Sequence, residues 1–451
     1  MHSKTLSPVL QPSDSLDFGE CEQADAHSAI LSPQIIRGGG YLAARYGMGV
    51  LVSVGNMLVL TWWIGPHAYG IFVTGIGLVA FLSNLARAGI DTYLVRQKET
   101  PAKAVYDAAC CLILMISTGL TIFGALAAPF LVRWYGSREF VAPYIVLLLS
   151  VPMIGLTGVP MAKLERELNF RVVAGIEFAG QSLGLVVSTA MAGLHYGVWA
   201  PVSGQLAWQV FTFFAAWRCA QLRPGLRLGG APVREMLRFG LGCTMSLRAW
   251  QLRTLVNPLL VARFAGVEGV AFVALALRIA EAMGTFRLAA GRMAIAALAR
   301  VQHSREQFRS LLQRAMWLQV ITLGPLLCLF VLAGPLVFRH IIGERWRPTL
   351  TVYPFVAAGV LINSVYNLQA SALFVLERQS VVMRAYAVHV LLLALGTLVF
   401  LPRAGIVGYG WAELVACSSY VLIHAAITKQ FAISYRHLMP LMTVFLVLLF
   451  V

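Results

Sequence analysis

From Gly38 to Val451 the chain is a succession of apolar stretches, each close to the ~20 residues a helix needs to cross bilayer hydrocarbon. They run at 40–62, 69–88, 106–132, 141–161, 172–193 and 197–217, then at 240–262, 269–296, 315–338, 350–375, 382–401 and 405–427, with a last one at 438–451. Only 12% of residues are charged and 59% are hydrophobic. Soluble domains carry about 25% charged residues, so this chain cannot coat a soluble surface. A soluble enzyme and a single-span anchor on a soluble domain are both excluded. The expected fold class is an all-α polytopic membrane protein with about 12 to 13 transmembrane helices.

Charge sets the orientation. There are 35 Lys+Arg against 19 Asp+Glu, and only five of the cations are lysines. Assigned to alternate connections, 22 cations fall on one side, that of Lys103, Lys163, Arg171, Arg223 and Arg309, and seven on the other, that of Arg133, Arg263 and Arg345. Loops rich in Lys and Arg stay in the cytoplasm, which places the N-terminus and the first side of this multi-pass chain there. Residues 1–34 are polar and acidic, lack the basic start and apolar core of a signal peptide, and read as a disordered cytoplasmic tail.

The chain also repeats. A shift of 201 lays Arg37 and Gly39 on Arg238 and Gly240, and Gly65 on Gly266; a shift of 206 lays Ala128-Pro129 and Arg133 on Gly334-Pro335 and Arg339; a shift of 208 lays Gly197 on Gly405. Four landmarks in one order, with a slowly growing shift, divide the chain into six-helix lobes at 35–217 and 239–428. A cytoplasmic linker at 218–238 joins them, its Pro224, Gly225, Gly229, Gly230 and Pro232 making a poor helix, and 429–451 adds one more transmembrane helix. An even helix count per lobe makes the repeats parallel, around a central cavity.

Six arginines lie inside apolar segments: Arg45, Arg248, Arg253, Arg278, Arg287 and Arg292. Each costs about 2.5–3.5 kcal/mol at mid-bilayer and has to face water, a partner or the interface. Tyr41, Arg45 and Asn56 share one face of the first segment, Ser246, Arg253 and Asn257 one face of the seventh, and Asn363, Tyr366 and Asn367 one face of the tenth. Arg278 has Glu281 one turn along on its own side, which suits either a cavity or an internal ion pair. Guanidinium-bearing faces on the equivalent first and seventh helices favour a shared cationic cavity, and these eleven residues are the expected substrate-binding set. Acids near the membrane are few: Glu177, Glu281 and Glu413. The seven cysteines form no CxxC pair and read as small buried hydrophobes. No nucleophile–base pair, phosphate-binding loop or nucleotide fingerprint occurs, so no catalytic residue, cofactor, metal or nucleic-acid partner is expected.

Several runs resemble the polysaccharide flippases of the Wzx type, within the multidrug/oligosaccharidyl-lipid/polysaccharide exporter superfamily. They are Trp63-Ile-Gly65-Pro-His-Ala-Tyr69-Gly70-Ile-Phe72, Arg87-Ala-Gly89, Leu164-Glu-Arg-Glu-Leu-Asn169-Phe170-Arg171, Gly197-Val-Trp199-Ala200, Arg234-Glu-Met-Leu-Arg238-Phe239-Gly240, Gly343-Glu-Arg-Trp346 and Leu376-Glu-Arg378. The resemblance spans about 37–427. It implies a transporter, not an enzyme, which moves polyprenyl-pyrophosphate-linked oligosaccharide across the bilayer for exopolysaccharide, capsule or lipopolysaccharide synthesis. It also implies a polysaccharide polymerase and a chain-length regulator as partners. Related sequences often carry an acid at Asn257, and Gly and Tyr at Ala271 and Val273; the chain ends inside an apolar run, so the fourteenth helix of many relatives is expected to be absent. The rival readings are a multidrug antiporter, which wants more membrane acids, and a membrane polymerase or ligase, which wants a large outer loop.

Overall fold

The computed structural model describes residues 49, 52–97, 101–223, 225, 230–243, 250–284, 297–436 and 438–451. The disordered-tail expectation and the candidates Tyr41, Arg45, Ser246, Arg248, Arg287 and Arg292 lie outside them. The described residues form helices and turns, with no strand among them. In chain order these are α1 Val52–Trp63, α2 Pro66–Arg87, α3 Ile90–Arg96, α4 Lys103–Tyr135, α5 Val141–Leu148, α6 Val151–Arg166, α7 Phe170–Gly193, α8 Trp199–Ala220 and α9 Gly230–Cys243. There follow a 3-10 turn at Leu252–Leu255, a π turn at Asn257–Val261, and then α10 Ala262–Met283, α11 Arg305–Val337, α12 Thr349–Val375, α13 Gln379–Ala404, α14 Val407–Cys417, α15 Val421–Phe431 and α16 Leu438–Leu448.

Nine stretches among the described residues are long and apolar enough to cross a membrane, and α1 and α16 are shorter apolar helices. One of the nine, Leu252–Met283, is broken at Gly266, with φ 70° and ψ 177°. Only glycine adopts that backbone without strain, and the break divides the stretch into the legs expected at 240–262 and 269–296. The segment expected at 141–161 is α5 and α6, joined where the Ser150 hydroxyl donates to the Leu147 carbonyl at 2.6 Å. The linker is more helical than its glycines and prolines suggest, because α9 starts at Gly230. Pro232 falls in its first turn, where a missing N–H costs nothing, and Met236 is fully buried among α3, α4 and α6.

Small residues set the tightest helix pairs. Gly184 of α7 faces the Gly204 carbonyl of α8, and a methyl there would sit 2.9 Å from that oxygen. Gly396 of α13 meets Ala412 of α14 in the same way, at 3.0 Å. Close backbone approach of this kind holds membrane helices together where no hydrophobic drive exists between them. The paired landmarks fall at like places. Gly197 and Gly405 both turn with positive φ, at 56° and 59°; Pro129 and Pro335 lie inside the 33-residue helices α4 and α11. Two further pairs carry no sequence signal: Leu168 and Glu377 (φ 58° and 56°) end α6 and α12, and Gln221 and Ala432 (φ 49° and 48°) end α8 and α15.

Residues before and after the linker meet chiefly along α2 and α10 and at one end of the bundle. There the Trp134 indole N–H donates to the Leu259 carbonyl and the Tyr135 hydroxyl to the Pro258 carbonyl, both at 2.8 Å. From the other side Trp346 Nε1 donates to the Thr61 carbonyl at 2.8 Å, and Arg345 reaches the carbonyls of Thr61 and Trp62. His67 stands between Glu139 at 2.9 Å and Glu268 at 3.9 Å. Gly70 lies so close to the Val267 carbonyl that no side chain fits between. Trp346 is fully buried, edge-on to both Tyr69 and Phe272. Trp346→Ala should therefore destabilise the protein by about 3–5 kcal/mol through the cavity it leaves, and Trp346→Phe by less. Thermal unfolding in detergent measures both; an unchanged midpoint for the alanine variant would contradict this packing.

Candidate substrate cavity

A cavity of about 240 Å³ opens on the seam between the two parts of the chain. Helical spacing builds its walls. Ser53, Asn56 and Leu60 are three and four residues apart on α1; Gln181, Gly184 and Ser188 share a face of α7; Pro201, Gly204, Gln205 and Trp208 share a face of α8. Tyr69, Phe72 and Ile76 of α2 close it, and from the far side α10 contributes Arg278. The glycines at 184 and 204 bring α7 and α8 close enough for their amides to converge.

Arg278 is the one cation lining the cavity among the described residues, and no carboxylate lines it. Its Nη1 donates to the Ser53 hydroxyl at 3.1 Å, across 225 positions of sequence. Glu281 stands three residues further along α10. The Asn56 Oδ1 is buried without a hydrogen-bond partner. An unanswered buried acceptor costs about 1–3 kcal/mol, and Asn56 lines the same cavity as Arg278.

The second polar face goes elsewhere. Arg253 Nη2 meets Glu413 Oε1 at 2.6 Å, with 19% and 6% of the two side chains exposed. Trp250 lies under the guanidinium at 5.3 Å and packs on Tyr386 and His389. His389 Nδ1 lies 3.2 Å from the Ser419 hydroxyl, and its ring stacks on Tyr420, which stacks on Tyr366 in turn. Asn363 Nδ2 donates to the Tyr420 hydroxyl at 2.6 Å. Three expected site residues, Arg253, Asn363 and Tyr366, are thus gathered in one polar cluster after the linker, apart from the Arg278 cavity. Asn257 sits in the π turn with its Oδ1 buried and unpaired, and the Asn367 carbonyl accepts from Ser371 at 2.9 Å.

A family model described as "Polysaccharide biosynthesis protein" matches residues 59–351. The chain belongs to that family. A curated relative, the succinoglycan biosynthesis transport protein ExoT of Rhizobium meliloti (strain 1021), is 23% identical over 296 residues. The match takes in 64% of this chain and 58% of that protein, so the chain spans little more than half of the relative. The fold is that of two kinds of solved transporter. The lipid II flippase MurJ, in an inward closed conformation, superposes with a TM-score of 0.74 at 12% identity, over 92% of either chain. An inward-facing multidrug resistance MATE family transporter of the MOP superfamily gives 0.69 at 15% identity, over 85% of this chain and 95% of that one.

In this polysaccharide biosynthesis protein the two arginines are chemically unlike. Arg253 is neutralised by Glu413, whereas the Arg278 fork has one hydrogen-bond partner among the described residues, the Ser53 hydroxyl. Reading the sequence alone pointed to Arg278 and Asn56 but passed over Gln181, Gln205 and Trp208. Their signal was present: Gln205 and Trp208 lie three residues apart in one apolar stretch, and Gln181 is an amide within another. Removing one member of a buried ion pair costs about 3–5 kcal/mol, while replacing both by apolar groups is nearly neutral. Glu413→Ala should accordingly lower the unfolding midpoint strongly, and the double variant Arg253→Met/Glu413→Leu should recover most of it. If the double variant proves as unstable as the single one, the pair is not an isolated one.

Proposed function

We propose that this protein is a flippase that moves polyprenyl-pyrophosphate-linked oligosaccharide units across the bacterial inner membrane for polysaccharide biosynthesis. The observation that carries this reading is Arg278, a guanidinium on a cavity that no carboxylate lines among the described residues, at the seam of a family member with a transporter fold. A pyrophosphate is answered by a bidentate guanidinium fork, and Gln181, Gln205 and Asn56 add neutral hydrogen bonds. A cationic drug would meet the wrong charge there, which counts against a multidrug antiporter.

The lobes 35–217 and 239–428 rock about the seam, while the prenyl tail stays in lipid. The end closed by Trp134, Tyr135 and Trp346 is the periplasmic one, since the other end bears the arginine-rich connections, and the N-terminus is cytoplasmic. The state described is sealed outside and accepts its cargo from the cytoplasmic leaflet. With the cell interior negative, each uncompensated negative charge carried outward gains about 2.3 kcal/mol per 100 mV, so the membrane potential favours export. On leaving, the cargo passes to a polymerase with its chain-length regulator.

Two measurements test the reading. In a strain lacking this chain, Arg278→Ala should cut polymer export at least about tenfold at normal protein level, and Arg278→Lys should fall between, because a lysine offers a point charge and no fork. Full export by Arg278→Ala would remove the cationic site. For orientation, a cysteine placed at the exposed Gln221, in a background without native thiols, should react with an impermeant maleimide only after the membrane is opened. Labelling in intact spheroplasts would invert the topology.

A further inference from the structure

Away from the seam, where α4 begins and α8 ends, Lys103, Tyr106, Asp107, Trp217, Gln221 and Arg223 line a cavity of about 240 Å³. It shares no lining residue with the Arg278 cavity. Lys103 is the first residue of α4, which is long and apolar enough to span a membrane. The cavity therefore lies where hydrocarbon gives way to headgroups. It is on the cation-rich end, which the orientation proposed above puts in the cytoplasm.

Asp107 is the anomaly there. It is only 6% exposed. Among the described residues its carboxylate has no hydrogen bond and no ion pair, not even with Lys103 one turn back. Gly225 passes so close to the carboxylate that no side chain would fit between, and glycine brings none to answer it. An ionised carboxylate withdrawn from water without a partner is among the costliest groups a fold can keep. Glu413, just as deeply buried, shows the usual remedy in its contact with Arg253 at 2.6 Å. The cations that share the cavity with Asp107, Lys103 and Arg223, are both exposed.

A buried anion and two exposed cations around one space complement a group built the other way, with its positive end leading and its negative end behind. A phosphatidylethanolamine headgroup is such a group, a primary ammonium two carbons from a phosphodiester. Its three N–H donors suit Asp107, with the Tyr106 hydroxyl and the Gln221 amide oxygen as further acceptors. Its phosphate suits Lys103 and Arg223, and the Trp217 indole is a ring of the kind that settles at headgroup level. A choline headgroup has no N–H to donate. A glycerol headgroup brings hydroxyls without positive charge, and a pyrophosphate has nothing to offer a carboxylate.

We infer that this cavity binds the headgroup of an aminophospholipid from the surrounding leaflet, at a site separate from the transport cavity. The bound lipid bridges the start of α4 and the end of α8. The inference stands on its own and does not depend on the flippase reading.

Native mass spectrometry of the full chain in detergent tests it, by titration with phospholipids of identical acyl chains. Phosphatidylethanolamine should bind about tenfold more tightly than phosphatidylcholine, the worth of one hydrogen bond to a charged group. Asp107→Asn should abolish that preference and leave phosphatidylcholine binding as in the parent, which a misfolded variant could not do. The double variant Lys103→Gln/Arg223→Gln should weaken both lipids alike, because both carry the phosphate. No preference in the parent, or a preference that survives Asp107→Asn, would overturn the inference. So would tighter binding of phosphatidylglycerol than of phosphatidylethanolamine, which would make this a site for anionic lipid. Water-soluble phosphoethanolamine that displaces the lipid at equal concentration would overturn the lipid as the source of the headgroup. Bare undecaprenyl pyrophosphate that displaces phosphatidylethanolamine from the parent at equal concentration would overturn the separation from the transport route.

Discussion

A backbone carbonyl released from its helix has to find a donor, because hydrocarbon supplies none. The π turn at Asn257–Val261 and the break at Gly266 interrupt the helical ladder where the two parts of the chain meet, and the first part supplies the donors. Trp134 and Tyr135 take the carbonyls of Leu259 and Pro258, and Trp346 with Arg345 take those at the end of α1 in return. On the same seam the cavity opens around Arg278, with Ser53, Asn56, Gln181 and Gln205 supplying amides and a hydroxyl among apolar side chains.

The two described arginines of the apolar segments show how one residue type serves opposite ends. Arg253 is locked by a carboxylate, an indole and a ring stack running through His389, Tyr420 and Tyr366, an arrangement that fixes how Trp250–Val261 sits against α12, α13 and α14. Buried pairs of this kind add little net stability over an apolar filling, so its value lies in specifying one packing. Among the described residues Arg278 has one hydrogen-bond partner, the Ser53 hydroxyl. It keeps its charge available.

The spans were legible in the sequence because their period is set by bilayer thickness, a length that apolar runs report directly. Arg278 and Asn56 were legible for a related reason, since polar groups inside such runs stand out against their background. The fate of Arg253 was not. Its partner Glu413 lies 160 positions away and is a lone acid in another segment, so only the fold brings them together. The helix ends at Leu168 and Glu377, and at Gln221 and Ala432, were equally hidden: their left-handed turns sit on residues that rarely adopt them, held by the helices on either side. Of the linker residues, Gly230 and Pro232 fall in the first turn of α9, where a helix start tolerates them.

The seam bonds that run through Trp134, Tyr135 and Trp346 share a feature with an evolutionary consequence. Their acceptors are main-chain oxygens at positions 61, 258 and 259, and no substitution at those sites deletes a carbonyl. Drift among homologues can therefore act on the closure from the donor side alone. Two indoles, a phenol and the guanidinium of Arg345 hold the tunable half of the contact, while the other half is as old as the backbone. A lineage that needed a looser or tighter closure could reach it by exchanging those four side chains without redrawing either surface.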